Sequence, residues 1–177
     1  MRNAILTFSF LLLLAISCGN EPRETENNKS KTDPKAERLV NINRQLVAND
    51  IEKIKGYIKR RNWNMQVTPT GLWYDISEKS TGPKATTGKK ATIKYTVELL
   101  EDGTTCYSSE KTGPKTFTIG KGGIEAGLEE GILLLNEGGK AIFILPPHLA
   151  YGLLGDEKCI PARSIIIYHV ELIKLTD

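Results

Sequence analysis

The sequence predicts an α+β domain in its C-terminal part, preceded by a helical segment and a flexible tether. Two observations predict this arrangement. Apolar and polar residues alternate in several short segments, as is typical of strands, whereas helical spacing of apolar residues is confined to two segments. Several strands, with one short helix and a long loop among them, are typical of an α+β fold.

The first 17 residues are typical of a signal peptide. Arg2 gives a positive start, and residues 5–16 form an apolar run that is too short to span a bilayer core of ~30 Å. Residues 14–18, Leu-Ala-Ile-Ser-Cys, resemble a lipobox, in which cleavage leaves Cys18 as an acylated N-terminus. The alternative is secretion with an incidental cysteine. We expect a lipoprotein, because Cys18 stands where polarity begins, and its acyl chains would anchor the protein to a membrane without a spanning helix.

Residues 18–36 predict a flexible tether, because they are rich in Glu, Lys, Asn, Thr and Pro and lack large apolar side chains. Gly19 and Asn20 do not resemble a signal for retention in the inner membrane. We therefore expect the protein on the outer membrane, facing the periplasm. The formal net charge of +3 is spread along the chain without a block of Lys or Arg, so we expect no nucleic-acid partner.

Residues 37–62 predict an N-terminal helix. Four apolar residues recur at spacings of four, three and four, on one stripe: Val47, Ile51, Ile54 and Ile58. Asn49 or Asp50 is placed to cap the helix start, and the apolar residues upstream form either a separate turn or an extension. The stripe suits dimerisation or packing on the chain's own domain. We expect the second, because the stripe is short for a coiled coil, and the oligomeric state stays open.

Beyond Trp63 the period changes from helical to alternating. Strands are predicted over residues 72–76, 91–100, 116–119, 140–145 and 164–175. A turn signal at residues 101–103 closes the second of these strands. Residues 124–135 predict a short helix with Leu128, Ile132 and Leu135 on one face, and a long loop follows residue 145.

Residues that usually carry hydrolytic or metal chemistry are scarce. His148 and His169 are the only histidines, and neither has a Ser or Cys partner at a recognised spacing, so we expect no hydrolytic triad. No His, Cys or Asp cluster has zinc spacing. The glycines at residues 120–123 are not followed by the Lys-Ser/Thr of a phosphate-binding loop. We therefore expect neither a metal nor a cofactor.

Seven short motifs occur in order toward the C-terminus: Tyr95-Thr96, Leu100-Glu101-Asp102-Gly103, Ser108-Ser109, Gly127-Leu128-Glu129-Glu130-Gly131, Ala150-Tyr151-Gly152, Ile160-Pro161 and Val170-Glu171-Leu172. Together they resemble the FKBP-type peptidyl-prolyl cis-trans isomerases over residues 70–176. Residues 106–109, with the preceding helix and signal peptide, resemble the gliding-motility-associated FKBP-type lipoproteins of the Bacteroidetes. The resemblance implies a domain over residues 70–177 in which a half-open antiparallel sheet wraps around a short helix, with a pocket between them.

The resemblance also implies a rotamase that acts in protein folding, on proline-containing segments of envelope proteins. Such an enzyme lowers a barrier of ~18–20 kcal/mol to rotation about an X-Pro bond. Twisting removes the resonance of the amide, so an apolar pocket favours the less polar twisted state, and no nucleophile is needed. A non-catalytic FKBP-like chaperone or scaffold is the alternative.

By the same resemblance, eight residues fall at the pocket: Tyr95, Tyr107, Ile124, Glu125, Leu128, Tyr151, Ile160 and Tyr168. Tyr151 would donate its hydroxyl to a substrate carbonyl, and the Ile124-Glu125 pair would present a side chain and a backbone N–H at the helix start. Departures from the family pattern at three places predict a weaker activity. These are Cys106-Tyr107 in place of Phe-Asp, Lys115 in place of Phe, and Asp156 in place of His or a similar residue.

Cys106 and Cys159 would lie on the same side of this pocket, and export permits disulfides. Either the two residues form a disulfide that pins the loop over the cleft, a bond typically worth ~2–4 kcal/mol, or they stay free thiols. The sequence leaves both interpretations open.

Overall fold

The computed structural model describes residues 33–177. The predicted signal peptide, the predicted lipidation at Cys18 and residues 18–32 of the predicted tether lie outside the described residues. None of the helices within residues 33–177 is long and apolar enough to cross a membrane.

Helix α1, Pro34–Arg61, is a single helix of 28 residues. The side chain of Asp33 caps its start by accepting a hydrogen bond from the backbone N–H of Lys35 at 3.0 Å, and Pro34 occupies the first turn. Residues 34–36, which the sequence assigns to the tether, are therefore helical. The apolar segment upstream of residue 47 is an extension of the helix and not a separate turn.

The predicted cap at Asn49 or Asp50 is wrong, because both residues lie inside α1. A short polar side chain caps a helix only where the backbone before it is non-helical, and here the helix continues through both positions. Asp50 uses its carboxylate elsewhere. Its Oδ2 atom lies 2.8 Å from Nη2 of Arg163, an ion pair that ties α1 to the long loop after residue 145.

Within residues 33–177, seven strands form one antiparallel sheet: β1 Gln66–Val67, β2 Trp73–Glu78, β3 Lys90–Leu99, β4 Thr105–Ser108, β5 Lys115–Thr118, β6 Lys140–Leu145 and β7 Ile166–Thr176. Their order is β1-β2-β6-β7-β3-β4, and β5 pairs with the first half of β3. Helix α2, Ser109–Thr112, follows β4, and helix α3, Ala126–Ile132, precedes β6. The five predicted strands match β2, β3, β5, β6 and β7, whereas β1 and β4 were not predicted.

Helix α3 lies directly on β6. A Cβ atom added at Gly127 would come within 2.6 Å of Leu145, and one added at Gly131 would come within 2.8 Å of Phe143. Glycine at both positions therefore permits the close approach. The helix ends earlier than predicted. The backbone N–H groups of Leu134 and Leu135 bond to the carbonyls three residues back, at 3.0 Å, as in a 3₁₀ turn.

Both faces of the sheet are covered. The face that packs against α3, here called the α3 face, holds the main core, and the predicted apolar face of the helix (Leu128, Ile132 and Leu135) is buried there. The opposite face packs against the C-terminal half of α1 and is here called the α1 face. Its buried residues are Ile54, Tyr57, Leu100, Ile144, Ile165 and Ile167.

The predicted stripe on α1 packs on the domain only in part. Ile54 is fully buried, whereas Ile51, one turn earlier, is 37% exposed. Val47 is exposed to the same extent, at 36%, and Ile42 and Leu39, nearer the start of the helix, reach 43% and 60%. Packing on the chain's own domain therefore describes the C-terminal half of α1.

Candidate active site

The candidate site lies on the α3 face and has a closed, apolar floor. Leu128 from α3, Ile160 from the loop after β6 and Tyr168 from β7 are each at most 2% exposed and belong to one core cluster. Half-buried residues packed against the same cluster form the rim: Tyr95, Tyr107, Ile124 and Tyr151. The floor and rim together are here called the tyrosine site, which meets solvent through its aromatic rim.

Tyr95 and Tyr168 stand side by side on β3 and β7. Their ring centroids are 6.2 Å apart and their planes are tilted by 43°. The strand register explains this, because Tyr95 pairs with Val170 and Val97 pairs with Tyr168, which puts the two rings diagonally on one face. The backbone N–H of Tyr95 donates to Oγ of Ser109 at 3.0 Å, which holds α2 at the rim.

Glu125 contributes its side chain to the site as well as its place at the start of α3. The carboxylate is 7% exposed, and its Oε1 atom accepts a hydrogen bond from the hydroxyl of Tyr151. Burial, followed by this hydrogen bond, raises the pKa of Tyr151. Burial, followed by the charge of Glu125, raises the pKa of Tyr168. Both hydroxyls stay protonated at neutral pH, and the Tyr151 hydroxyl, expected to meet a substrate carbonyl, here donates to Glu125.

Tyr107 and Asp156 form a second pair in the site. The Tyr107 hydroxyl donates to Oδ2 of Asp156, and Oδ1 accepts from the backbone N–H groups of Lys158 and Ile160 at 3.0 and 2.8 Å. Burial alone would raise the pKa of Asp156, but these hydrogen bonds hold it below its ordinary range. The bond to Asp156 and burial raise the pKa of Tyr107. Tyr107 and Asp156, two of the residues that the sequence marks as departures, are thus hydrogen-bond partners of each other.

Cys106 in β4 and Cys159 in the loop form a disulfide, with Cα atoms 5.5 Å apart, which is an ordinary separation. Of the two interpretations that the sequence leaves open, the structure contains the disulfide. The Tyr107–Asp156 hydrogen bond lies beside it, so β4 holds the loop both covalently and through a hydrogen bond. Asp156 was not among the predicted site residues, although it lies three positions before Cys159, and Tyr107 directly follows Cys106. This placement is a signal that the two belong together.

Within residues 33–177, the neighbouring surfaces offer no competing catalytic constellation. A cleft of about 470 Å³ lies between α1 and the long loop, with Gly56, Arg60, Leu100 and Arg163 among its lining residues, and it contains none of the eight predicted site residues. Within residues 33–177, no three His, Cys, Asp or Glu side chains lie close enough together to hold a metal ion.

Residues 82–173 match the model of the family described as FKBP-type peptidyl-prolyl cis-trans isomerase. The chain belongs to this family. A protein named FK506-binding protein from Neisseria meningitidis serogroup C is 38% identical over 104 residues, which are 58% of this chain and 94% of that protein. The peptidyl-prolyl cis-trans isomerase Fkbp12 of Drosophila melanogaster is 42% identical over 97 residues, covering 54% of this chain and 87% of that protein.

Solved structures agree with the assignment to this isomerase family. FkpA from Escherichia coli superposes with a TM-score of 0.64 at 26% identity, over 80% of this chain and 66% of that one. AtFKBP13 superposes with a TM-score of 0.61 at 32% identity, over 64% of this chain and 99% of that one. The predicted fold, a half-open antiparallel sheet around a short helix with an N-terminal helix before it, is confirmed, and so is the prediction of a peptidyl-prolyl isomerase.

Proposed function

We propose that this isomerase works in the cell envelope as a lipid-anchored protein. We also propose that the tyrosine site catalyses the cis-trans isomerisation of X-Pro bonds. The site assignment rests on three tyrosines that come together at one place. Tyr95 on β3, Tyr151 in the loop and Tyr168 on β7 come from three separate elements and pack on one buried apolar floor. Such a floor with a few oriented polar groups is the usual form of a small binding site.

The chemistry of the floor suits rotation about an amide. A planar X-Pro amide carries partial negative charge on its carbonyl oxygen, and twisting the bond removes the resonance that places the charge there. Apolar side chains such as Leu128 and Ile160 solvate the planar, more polar amide poorly. The floor therefore stabilises the twisted state relative to the planar one, while hydroxyls at the rim hold the flanking peptide.

Two features support a place in the envelope. Residues 14–18 resemble a lipobox that ends at Cys18, which predicts acylation and anchoring, and the following residues favour the outer membrane. The Cys106–Cys159 disulfide suits an oxidising compartment such as the periplasm. The partners in this proposal are the membrane, through the acyl chains, and proline-containing segments of envelope proteins.

The clients of the enzyme extend in this proposal to proteins of the gliding machinery. The basis is the resemblance of residues 106–109, together with the preceding helix and the signal peptide, to the gliding-motility-associated lipoproteins. Deleting the gene in its own host and measuring gliding would test this extension, and unchanged gliding would contradict it.

A lipid-labelling experiment tests the anchor. The full chain, expressed in a bacterial host with radiolabelled palmitate, should incorporate label and float with outer-membrane vesicles, whereas Cys18→Ala should do neither. Cys159→Ala removes a different cysteine and should still be labelled. Labelling that survives Cys18→Ala, or a wild-type protein recovered without lipid in the soluble periplasmic fraction, would contradict the anchor.

Occupation of the Tyr151 hydroxyl by Glu125 favours a second candidate, a chaperone or scaffold that holds prolyl segments without turning them. Refolding of a protein limited by a slow prolyl isomerisation separates the two candidates, because uncatalysed isomerisation takes ~10–100 s. Catalytic amounts of this protein should shorten that phase. Tight binding of the unfolded protein with no shortening would support the scaffold instead.

A further inference from the structure

Glu125 is poorly placed for an ordinary structural role. It is the residue at the N-terminal cap of α3, yet its side chain makes no capping hydrogen bond. Asp, Asn, Ser and Thr are the side chains that usually cap a helix, because they reach back to the first free N–H groups. The carboxylate of Glu125 instead enters the tyrosine site, where it is 93% buried (7% exposed).

The two oxygens of this carboxylate are used differently. Oε1 accepts the hydrogen bond from Tyr151, whereas Oε2 is buried without a partner at hydrogen-bond distance within residues 33–177. The hydroxyl of Tyr168 also lies near this carboxylate, which, after burial, raises the pKa of that hydroxyl. Buried acceptors are rarely left without a partner, since removing an ionised oxygen from water is costly unless a donor replaces the water. Oε2 is therefore an acceptor that a bound ligand can satisfy.

The neighbouring carboxylate of Asp156 offers no such vacancy. Its Oδ2 accepts from Tyr107, and its Oδ1 accepts from two backbone N–H groups of the loop. Asp156 thus serves the loop's own structure. Of the two acidic residues beside the tyrosines, Glu125 is the one left to meet a substrate.

Two carboxylates, those of Glu125 and Asp156, lie beside the hydroxyls of the site. The charged groups that act on the hydroxyls of Tyr107 and Tyr151 are the carboxylates of Glu125 and Asp156, and both carboxylates raise the pKa of these hydroxyls, after hydrogen bonding and burial. No Lys or Arg of residues 33–177 forms an ion pair with Glu125. A cation brought by a substrate would therefore find an uncompensated buried carboxylate.

We propose that Glu125 determines substrate specificity, and that its free carboxylate oxygen selects segments in which Lys or Arg directly precedes the proline. This inference rests on the tyrosine site being the isomerase site. The residue before the proline shares the rotating amide, so its side chain leaves the backbone beside the prolyl ring. Lys and Arg have long apolar stems that lie along aromatic surfaces while the charged end reaches an acceptor. An acidic residue at the same place would be repelled, and repulsion contributes to specificity as much as attraction does.

Isomerisation of matched peptides tests this proposal. Three peptides that differ only in Lys, Leu or Glu before the proline are compared by NMR exchange spectroscopy, which needs no coupled protease. The wild-type protein should favour the Lys peptide over the Glu peptide by about 10- to 100-fold in kcat/KM, the range expected for a hydrogen bond to a buried charge. Glu125→Gln keeps the shape and the acceptor for Tyr151 but loses the charge, and it should reduce the ratio to about threefold or less.

A matched control removes the same charge elsewhere. Glu101→Gln changes an exposed carboxylate in the turn after β3, outside the tyrosine site, and should leave the ratio unchanged. A wild-type ratio near one, or a ratio that Glu125→Gln does not change, would overturn the proposal whether or not the variant is fully stable.

Binding constants for the same peptides, from chemical-shift titration, distinguish the role of Glu125 from the assignment of the site to isomerisation. Catalysis of all three peptides without preference would overturn the role of Glu125 and leave the isomerase site standing. No catalysis of any peptide, with a binding preference for Lys that Glu125→Gln removes, would overturn the isomerase assignment of the site and leave the charge preference standing. Neither catalysis nor a binding preference would overturn both.

Discussion

The two faces of the sheet are built from similar apolar residues but differ in the groups that pack with them. On the α1 face, Ile54 and Ile167 pack with aromatic rings that contact one another. Tyr57 and Trp63 meet edge to face, with ring centroids 5.7 Å apart. On the α3 face the apolar floor carries Glu125, the one buried charged residue within residues 33–177. The difference separates the part of the core that only stabilises the fold from the part that has polar groups left for a ligand.

Truncation on the α1 face should have the largest effect on stability. Ile54→Ala removes a fully buried side chain beneath α1 and should lower the free energy of unfolding by ~2–5 kcal/mol, measured by urea denaturation. Ile51→Ala, one turn earlier and 37% exposed, is the matched control and should change it by less than about 1 kcal/mol. Equal losses from the two variants would show that α1 does not pack as described.

Removing the disulfide should have the next largest effect. The double substitution Cys106→Ala and Cys159→Ala releases the loop from β4 and should cost ~2–4 kcal/mol of stability, because a long closed loop in the unfolded chain is freed. Isomerase activity should also fall, since Tyr151 and Ile160 lie on that loop. Full activity in the double variant would show that the loop keeps its place without the disulfide, through the Tyr107–Asp156 hydrogen bond and the Asp50–Arg163 ion pair.

Tyr151→Phe should have a smaller effect on stability but a clear one on activity. The variant leaves the buried Oε1 of Glu125 without its donor, which should cost ~1–3 kcal/mol, and kcat/KM should fall about tenfold. Tyr74→Phe removes an exposed hydroxyl that donates to Gln66 at 2.8 Å, and it should affect neither quantity to this extent. Identical behaviour of the two variants would contradict a special role for Tyr151.

Alkaline pH should have the smallest effect, and it acts on both faces, because burial also raises the pKa of Tyr57 on the α1 face. The raised pKa values of Tyr107, Tyr151 and Tyr168 mean that the folded state holds these protons more tightly than the unfolded state does. Their contribution to stability is complete below the ordinary tyrosine pKa of ~10 and is lost as the pH rises from there toward the folded-state values. Denaturation between pH 9 and 11 should show this decline, and Tyr151→Phe should weaken it; a flat profile would contradict the buried hydroxyls.

The sequence predicted the parts of the fold whose side chains alternate over many residues. β6 lies at the predicted bounds, residues 140–145, because residues 141–145 face one or the other of two buried layers. β1 and β4 were missed because two and four residues are too few to show a period. The cap of α1 was placed too late, at Asn49 or Asp50, because these residues imitate a cap that only the backbone conformation can confirm.

The aromatic residues of the site were predictable from the sequence, but the hydrogen bonds between its side chains were not. Position within the family motifs placed Tyr95, Tyr151 and Tyr168 in one region. The direction of the Glu125 side chain depends on the apolar environment at the start of α3, which spacing along the chain does not show. The Tyr107–Asp156 bond joins residues 49 positions apart, and only their nearness to the two cysteines indicates it.

The most direct test compares two fully buried apolar residues on opposite faces of the sheet. Leu128→Ala on the α3 face and Ile54→Ala on the α1 face are assayed for isomerisation of one prolyl peptide, with each rate divided by the fraction of folded protein. Loss of at least about tenfold in kcat/KM for Leu128→Ala, with wild-type activity for Ile54→Ala, is the predicted result, because only Leu128 belongs to the floor of the tyrosine site. Equal activity of the two variants, or full activity of Leu128→Ala, would contradict the assignment of catalysis to the α3 face.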